Sequence, residues 1–320
     1  MSEAWLQRPE GGTPFFLNLV STLAMRVGRP LTRLLLYPIA LYFLVRRAPE
    51  RRASREYLSR VLGREAGIAD VARHFHTFSG ITLDRVFLLT QSLDSLDIST
   101  HGLDELHRVM EPGCGVLLIG AHFGSFDALR VLSMRRPDVM VRVVLDEGHS
   151  PMLSRVIANL NPEIARRIIS PRRSGMTVAL EIGDALQQGS LVTMLADRAR
   201  PGNTTVSVDF LGAPAHFPTA PWQIASAMHV PVVLCLGIYR GGSKYELHFE
   251  VLSEKLHFDR RERNRKLVAA VQLFADRLAH YARLAPYNWF NFYDFWHTEK
   301  TVDRPVDAVD HSIAGERTGS

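Results

Sequence analysis

The pattern of apolar and polar positions divides the chain into three stretches. Over residues 15–45 apolar side chains dominate, interrupted by Arg26, Arg29 and Arg33, and the longest uncharged run, residues 34–45, contains Pro38. A transmembrane helix needs about 20 apolar residues, so this run predicts a helix lying in a membrane interface. A short re-entrant or tilted span, or a core helix pair with a solvated arginine face, are the alternatives. Residues 54–110 carry Tyr57, Leu58, Val61 and Leu62, then Val71, Phe75, Phe78 and Ile81, at spacings of three and four, which predicts helix. From Gly115 onward, short apolar runs alternate with helical patterns. Strands are expected at 115–121, 139–145, 168–169 and 191–196, and helices at 177–188, 220–228 and 264–284, the last stopped by Pro286. Residues 204–217 read as a strand and turn. Residues 230–239 and 244–252, joined by Arg240-Gly241-Gly242-Ser243, read as an antiparallel hairpin.

This order predicts an α/β fold: a mixed, largely parallel central sheet flanked by helices, with an N-terminal helical membrane-associating segment. The divisions expected are a basic, apolar segment at 1–66, an α/β domain at 67–300 and a disordered tail at 301–320. The first twelve residues lack the order of a secretory signal and read as a frayed end.

Charge sharpens the N-terminal reading. The formal net charge is +5, but residues 1–66 hold eleven arginines against five glutamates, so the rest of the chain is close to neutral. Arg33 precedes the apolar run, and Arg46, Arg47, Arg51, Arg52 and Arg55 follow it. That arrangement suits anionic headgroups, whereas a nucleic-acid surface would interleave its basic residues with polar and aromatic ones, so no nucleic acid is expected. The two cysteines, Cys114 and Cys235, form neither a disulfide framework nor a zinc pattern, which suggests a reducing compartment.

The densest chemistry lies in Gly115-Val-Leu-Leu-Ile-Gly-Ala-His122-Phe-Gly124-Ser125-Phe-Asp127. It predicts a buried strand running into a loop, at the sheet edge where open α/β proteins place their sites. His122 reads as a general base, and Asp127 as the carboxylate that fixes its tautomer and stabilises the imidazolium. Gly124 and Ser125 would let a substrate approach the backbone closely. Ser125 fails as a nucleophile, because the elbow needs glycines where Phe123 and Asp127 stand. No metal is expected, since the histidines lack ligand spacing; His74 and His76, two apart on a helix, point to different faces and read as structural.

His122-Phe-Gly-Ser-Phe-Asp127 resembles the His-x4-Asp block of the lysophospholipid acyltransferase superfamily. Together with Met194-Leu-Ala-Asp197-Arg198, Val208-Asp-Phe-Leu-Gly-Ala-Pro-Ala215 and Pro286-Tyr-Asn-Trp-Phe290, it resembles the lipid A biosynthesis (lauroyl and myristoyl transferase) branch. The aromatic ending Asn288-Trp-Phe-Asn-Phe-Tyr-Asp-Phe-Trp296 is similar to an offshoot associated with aryl polyene and xanthomonadin-type pigments. The resemblance implies transfer of an acyl chain from a thioester, on acyl carrier protein or coenzyme A, to a hydroxyl of a lipid or glycolipid. It implies His122 and Asp127 as catalytic residues, no bound cofactor, and a place on the cytoplasmic face of the inner membrane. An acidic acyl carrier protein would suit the basic surface. The rival reading is a lipid-binding or scaffold protein without turnover.

Further candidates follow from position. Asp197, at the end of a strand, should reach the same edge as His122 and bind phosphates through its neighbour Arg198, unless it is a surface turn. Arg172 and Arg173, with Ser174, are phosphate candidates in the connection before the helix at 177. The aromatics from Trp289 to Trp296 read as core, or as the lining of an acyl groove.

Overall fold

The computed structural model describes residues 26, 28–89, 96–110, 113, 115–129, 140–145, 166–171, 175–199 and 202–297. Its centre is a seven-stranded sheet, here labelled in chain order β1 (Asp97–His101), β2 (Val116–Gly120), β3 (Val141–Val144), β4 (Ile168–Ile169), β5 (Leu191–Leu195), β8 (Val232–Gly241) and β9 (Lys244–Ser253). Their spatial order is β1-β9-β8-β2-β5-β3-β4, and a separate antiparallel pair is made by β6 (Thr205–Phe210) and β7 (Ala213–Pro218). β8, β2, β5, β3 and β4 run parallel; β9 returns antiparallel to β8, and β1 runs parallel to β9. The sheet is therefore mixed and mostly parallel, as the alternating pattern predicts.

β2 lies in the middle, and all five of its residues are buried. Side chains alternate across a strand, so Leu117 and Ile119 enter the apolar cluster on one face while Val116 and Leu118 enter the cluster on the other. A continuous apolar run is what a parallel strand covered on both faces requires.

The helices are α1 (Leu36–Arg46), α2 (Ala48–Leu62), α3 (Ile68–Leu89), α4 (Leu103–Met110), α5 (Gly175–Gln187), α6 (Ala220–Met228) and α7 (Arg263–Leu284). α2 starts with Pro49 in its first turn, where the missing N–H costs nothing, and ends at Gly63 in the left-handed region with φ 65°. Tyr57 and Leu58 of α2 are fully buried in the same cluster as Leu117, Ile119 and α7. α1 is one-sided. Leu36 and Ala40 face the protein, while Tyr37, Leu41 and Val45 are exposed, as is Leu34 in the 3₁₀ turn just ahead of the helix. Ahead of α1, Arg29 Nε donates to Asp84 Oδ1 of α3 at 2.8 Å, and Tyr245 Oη of β9 donates to Asp84 Oδ2 at 2.7 Å. This buried ion pair ties the start of the described chain to both α3 and the sheet.

Two expectations need correction or restriction. The stretch 54–110 is not helical throughout: residues 97–101 form edge strand β1, whose alternation of exposed and half-buried positions is too short to stand out between two helical patterns. Among the described residues no helix is long and apolar enough to cross a membrane. Arg172, Arg173, Ser174 and the 301–320 tail lie outside the described residues.

Candidate active site

Two neighbouring parallel strands deliver the central pair. Gly120 of β2 is in register with Leu195 of β5, and the pairing continues one step as Ala196 N–H donates to Gly120 O at 2.9 Å. His122 and Asp197 each stand two residues past these strand ends, so they emerge side by side at the carboxyl edge of the sheet. His122 Nδ1–H donates to Asp197 Oδ1 at 2.9 Å, and the His122 backbone N–H donates to Asp197 Oδ2 at 3.0 Å. Trp289 Nε1–H donates to the same Oδ2 at 3.0 Å. Asp197 is fully buried, and its two oxygens accept three N–H groups. A carboxylate only accepts, so Nδ1 carries the proton and Nε2 is left with a lone pair. The imidazole is 37% exposed, and among the described residues Nε2 has no partner.

The loop holding His122 is fixed from two sides. Phe123 bridges antiparallel to Trp289, Phe290 N–H donates to His122 O at 2.8 Å, and Gly124 N–H donates to Asn288 O at 2.8 Å. On the other side Ser125 N–H donates to Gly237 O of β8 at 2.7 Å. Gly124 has φ +58°, and a Cβ there would lie 1.9 Å from Gly237 O; a Cβ on Gly237 would lie 2.2 Å from Ser125 O. Both positions accept only glycine without moving backbone. Trp289 is itself held by α3, because His74 Nε2–H donates to Trp289 O at 2.9 Å while Nδ1 accepts from Ser54 Oγ at 2.8 Å. His74 is completely buried, and burial pushes its pKa down to about 3, so it stays neutral. It reads as structural, and it braces the site.

Asp127 is not on the imidazole. After Gly124 the chain turns into a 3₁₀ turn, Phe126–Leu129, and there Asp127 Oδ2 accepts from Arg85 Nε of α3 at 2.6 Å. Asp197, not Asp127, orients His122 in this structure. The reason is register: parallel strands in phase bring two strand ends together, whereas the turn at Gly124 carries the last residue of the block toward α3.

Electrostatics favour a neutral His122. Burial lowers its pKa most, the Arg198 guanidinium lowers it further, Asp197 opposes, and Arg85 adds a smaller lowering. For Asp197, burial raises the pKa, but His122, Arg198 and Trp289 outweigh it and hold the carboxyl well below its ordinary range. Arg198 Nε is 4.0 Å from Asp197 Oδ2, its guanidinium donates to Phe290 O, and it lies over the Tyr293 ring at 5.2 Å. Ser125 is 1% exposed, with Oγ unpartnered among the described residues, so it has no open path to a reacting group.

The predicted residues His122, Gly124, Ser125, Asp197 and Arg198 thus converge, with Asp127 one layer away on Arg85. Trp289, Phe290 and Phe295 are buried core aromatics, and Trp289 has the added task of holding Asp197. Sequence reasoning missed Arg85, Asn288 and Gly237. Nothing local marks Arg85 within its helix, whereas the glycine inside the apolar run 232–239 was a usable signal of close backbone approach.

Residues 6–298 match the sequence profile of a family described as bacterial lipid A biosynthesis acyltransferase. No curated protein matches the chain.

Proposed function

The chain belongs to the bacterial lipid A biosynthesis acyltransferase family, and from that premise we propose that it moves an acyl chain from an acyl thioester to a lipid hydroxyl with His122 as general base. The family makes it an acyltransferase acting on lipids. The observation supporting the residue assignment is the buried Asp197 carboxylate on His122 Nδ1, which leaves Nε2 of a partly exposed ring as the proton acceptor.

The proposed step is direct. Nε2 takes the proton of the acceptor hydroxyl as its oxygen bonds to the thioester carbonyl carbon. The C–S bond then breaks, and the departing thiolate takes the proton from the imidazolium. Asp197 stabilises the imidazolium while it exists. Trp289 and the His122 backbone N–H keep Asp197 in place and ionised. Arg85 and Arg198, whose charges both act on the imidazole, suit a phosphate or pyrophosphate of donor or acceptor, while Asp127 holds Arg85. No resident cofactor or metal takes part in this scheme; the co-substrate is acyl-acyl carrier protein or acyl-coenzyme A.

Location follows the same logic. Tyr37, Leu41 and Val45 lie four residues apart on the exposed stripe of α1, and Arg46, Arg47, Arg51, Arg52 and Arg55 follow directly. An apolar stripe with a basic end suits the anionic cytoplasmic face of the inner membrane, where a lipid acceptor would lie. The acceptor is a lipid A-like molecule or a lipid carrying an aryl polyene or xanthomonadin-type acyl group.

The test is full-length protein on anionic vesicles, supplied with labelled acyl-acyl carrier protein or acyl-coenzyme A and lipid extracts of both types. Transfer to one lipid class, abolished in a folded His122→Ala protein, is the expected result. Equal transfer by that variant overturns the mechanism. Binding of lipid with no turnover under any donor favours the scaffold reading.

A further inference from the structure

A second cluster of ligand-bearing side chains lies away from His122, on the β1–β9 pair. β1 runs parallel to β9 with His101 directly opposite His248, and the two imidazoles stack at 4.6 Å between centroids and 17° between planes. Glu246 is two residues before His248 on β9, so it shares that face, opposite the buried Tyr245, Leu247 and Phe249. One ligand atom from each of His101, Glu246 and His248 lies within 4.8 Å of the other two.

We propose that His101, Glu246 and His248 form a binding site for one divalent transition-metal cation of the zinc type. Two imidazole nitrogens and one carboxylate oxygen are the donors that zinc prefers at three-ligand sites, with the fourth position left to water. Ligands about 2.0–2.1 Å from a tetrahedral ion stand roughly 3.3 Å apart. His248 Nε2 and Glu246 Oε2 are already 3.2 Å apart, joined by the proton that the cation would displace. Mixed nitrogen and oxygen donors disfavour calcium and magnesium, which take all-oxygen sets.

The surroundings suit this assignment. Glu250, the next acid on the face, is taken by Arg277 at 2.7 Å and Tyr281 Oη at 3.3 Å, which leaves Glu246 as the carboxylate of the group. Arg240 Nε donates to the same Glu246 Oε2 at 2.8 Å; a carboxylate oxygen has two lone pairs, so the place an ion would take is the one the His248 proton now holds. The cation would join edge strand β1, which among the described residues pairs with β9 alone, to its neighbour by a bond across the two strands.

The test uses the full chain, stripped with a chelator and titrated with Zn²⁺ alone, following heat of binding and thermal midpoint. Two other histidine groups, His229 with His257 and Asp259, and His297 with Glu56 and Asp294, serve as internal controls. The expected result is one Zn²⁺ per chain and a rise in midpoint, with affinity falling at least tenfold in both His101→Gln and His248→Gln. His257→Gln and His297→Gln should stay within about twofold of the parent. Because His101 is exposed, His101→Gln should fold normally and separates lost binding from lost structure. Absence of Zn²⁺ binding, or binding that follows the control histidines, overturns the proposal.

Discussion

Replacing Asp197 with Asn tests the site most sharply, because the two residues have the same shape and differ in what their oxygens can accept. Three N–H groups point at Asp197: His122 Nδ1 at Oδ1, and the His122 backbone N and Trp289 Nε1 at Oδ2. An amide supplies one oxygen and one NH₂. If the NH₂ sits at the Oδ2 place, two donors face a donor and two charge-assisted bonds are lost, about 3–6 kcal/mol in all. If it sits at the Oδ1 place, Trp289 and the backbone keep their acceptor, but Nδ1 must accept and the ring proton moves to Nε2. The second arrangement loses fewer bonds and should prevail. Its cost appears in catalysis: with Nε2 protonated, general-base assistance disappears, a loss of about 10²–10⁴ in rate, or roughly 3–5 kcal/mol of barrier. Asp127→Asn should differ. Its pair with Arg85 is partly exposed, at 15% and 32%, so screening limits its worth to about 0–1 kcal/mol, and no tautomer changes. The assay is single-turnover acyl transfer, with circular dichroism and melting as folding controls. If Asp197→Asn retains more than a tenth of wild-type rate while Asp127→Asn loses all of it, Asp197 is not the orienting residue and the reasoning fails.

Three other outcomes follow. The acid limb of kcat/KM should lie below the ordinary histidine pKa, because burial and Arg198 lower that of His122; removing the cation in Arg198→Gln should move the limb to higher pH, and an unchanged or lower limb would contradict this. His74 has a folded pKa of about 3, below its unfolded value of about 6.5, so its contribution is full above that pH and declines as pH falls toward 3; urea unfolding should lose up to about 1.4 kcal/mol per pH unit there, a slope that His74→Gln should reduce. Gly237→Ala should lower both the melting temperature and the transfer rate, since its Cβ would meet Ser125 O, whereas Gly175→Ala, with open space at its Cβ, should be near neutral in both measurements.

The local patterns carried much of the architecture. An all-apolar run between glycines placed β2, a mostly apolar run after Gly189 placed β5, the Gly241-Gly242 pair placed the β8–β9 hairpin, and Pro286 ended α7 close to where periodicity alone puts its end. These features are local because hydrogen-bond periodicity, glycine freedom and the missing proline N–H act within a few residues. β1 escaped for the same reason: a five-residue edge strand with one half-buried face leaves too little signal, and its pairing partner lies over a hundred residues away in sequence.

The site divides along the same line. By itself the sequence determined that His122 follows a buried strand and that Asp197 ends another, so both belong at one sheet edge. Which carboxylate takes the imidazole depended on the in-phase register of β2 with β5 and on the turn at Gly124, which packs against Gly237 of β8, and the partners that set both lie far from His122 in sequence. The tertiary structure alone decided that Arg85 takes Asp127 and that Trp289, braced by His74, holds Asp197. Those contacts join segments 42, 92 and 215 residues apart in the chain. A sequence pattern records what each residue can do, whereas packing and strand register choose its partner.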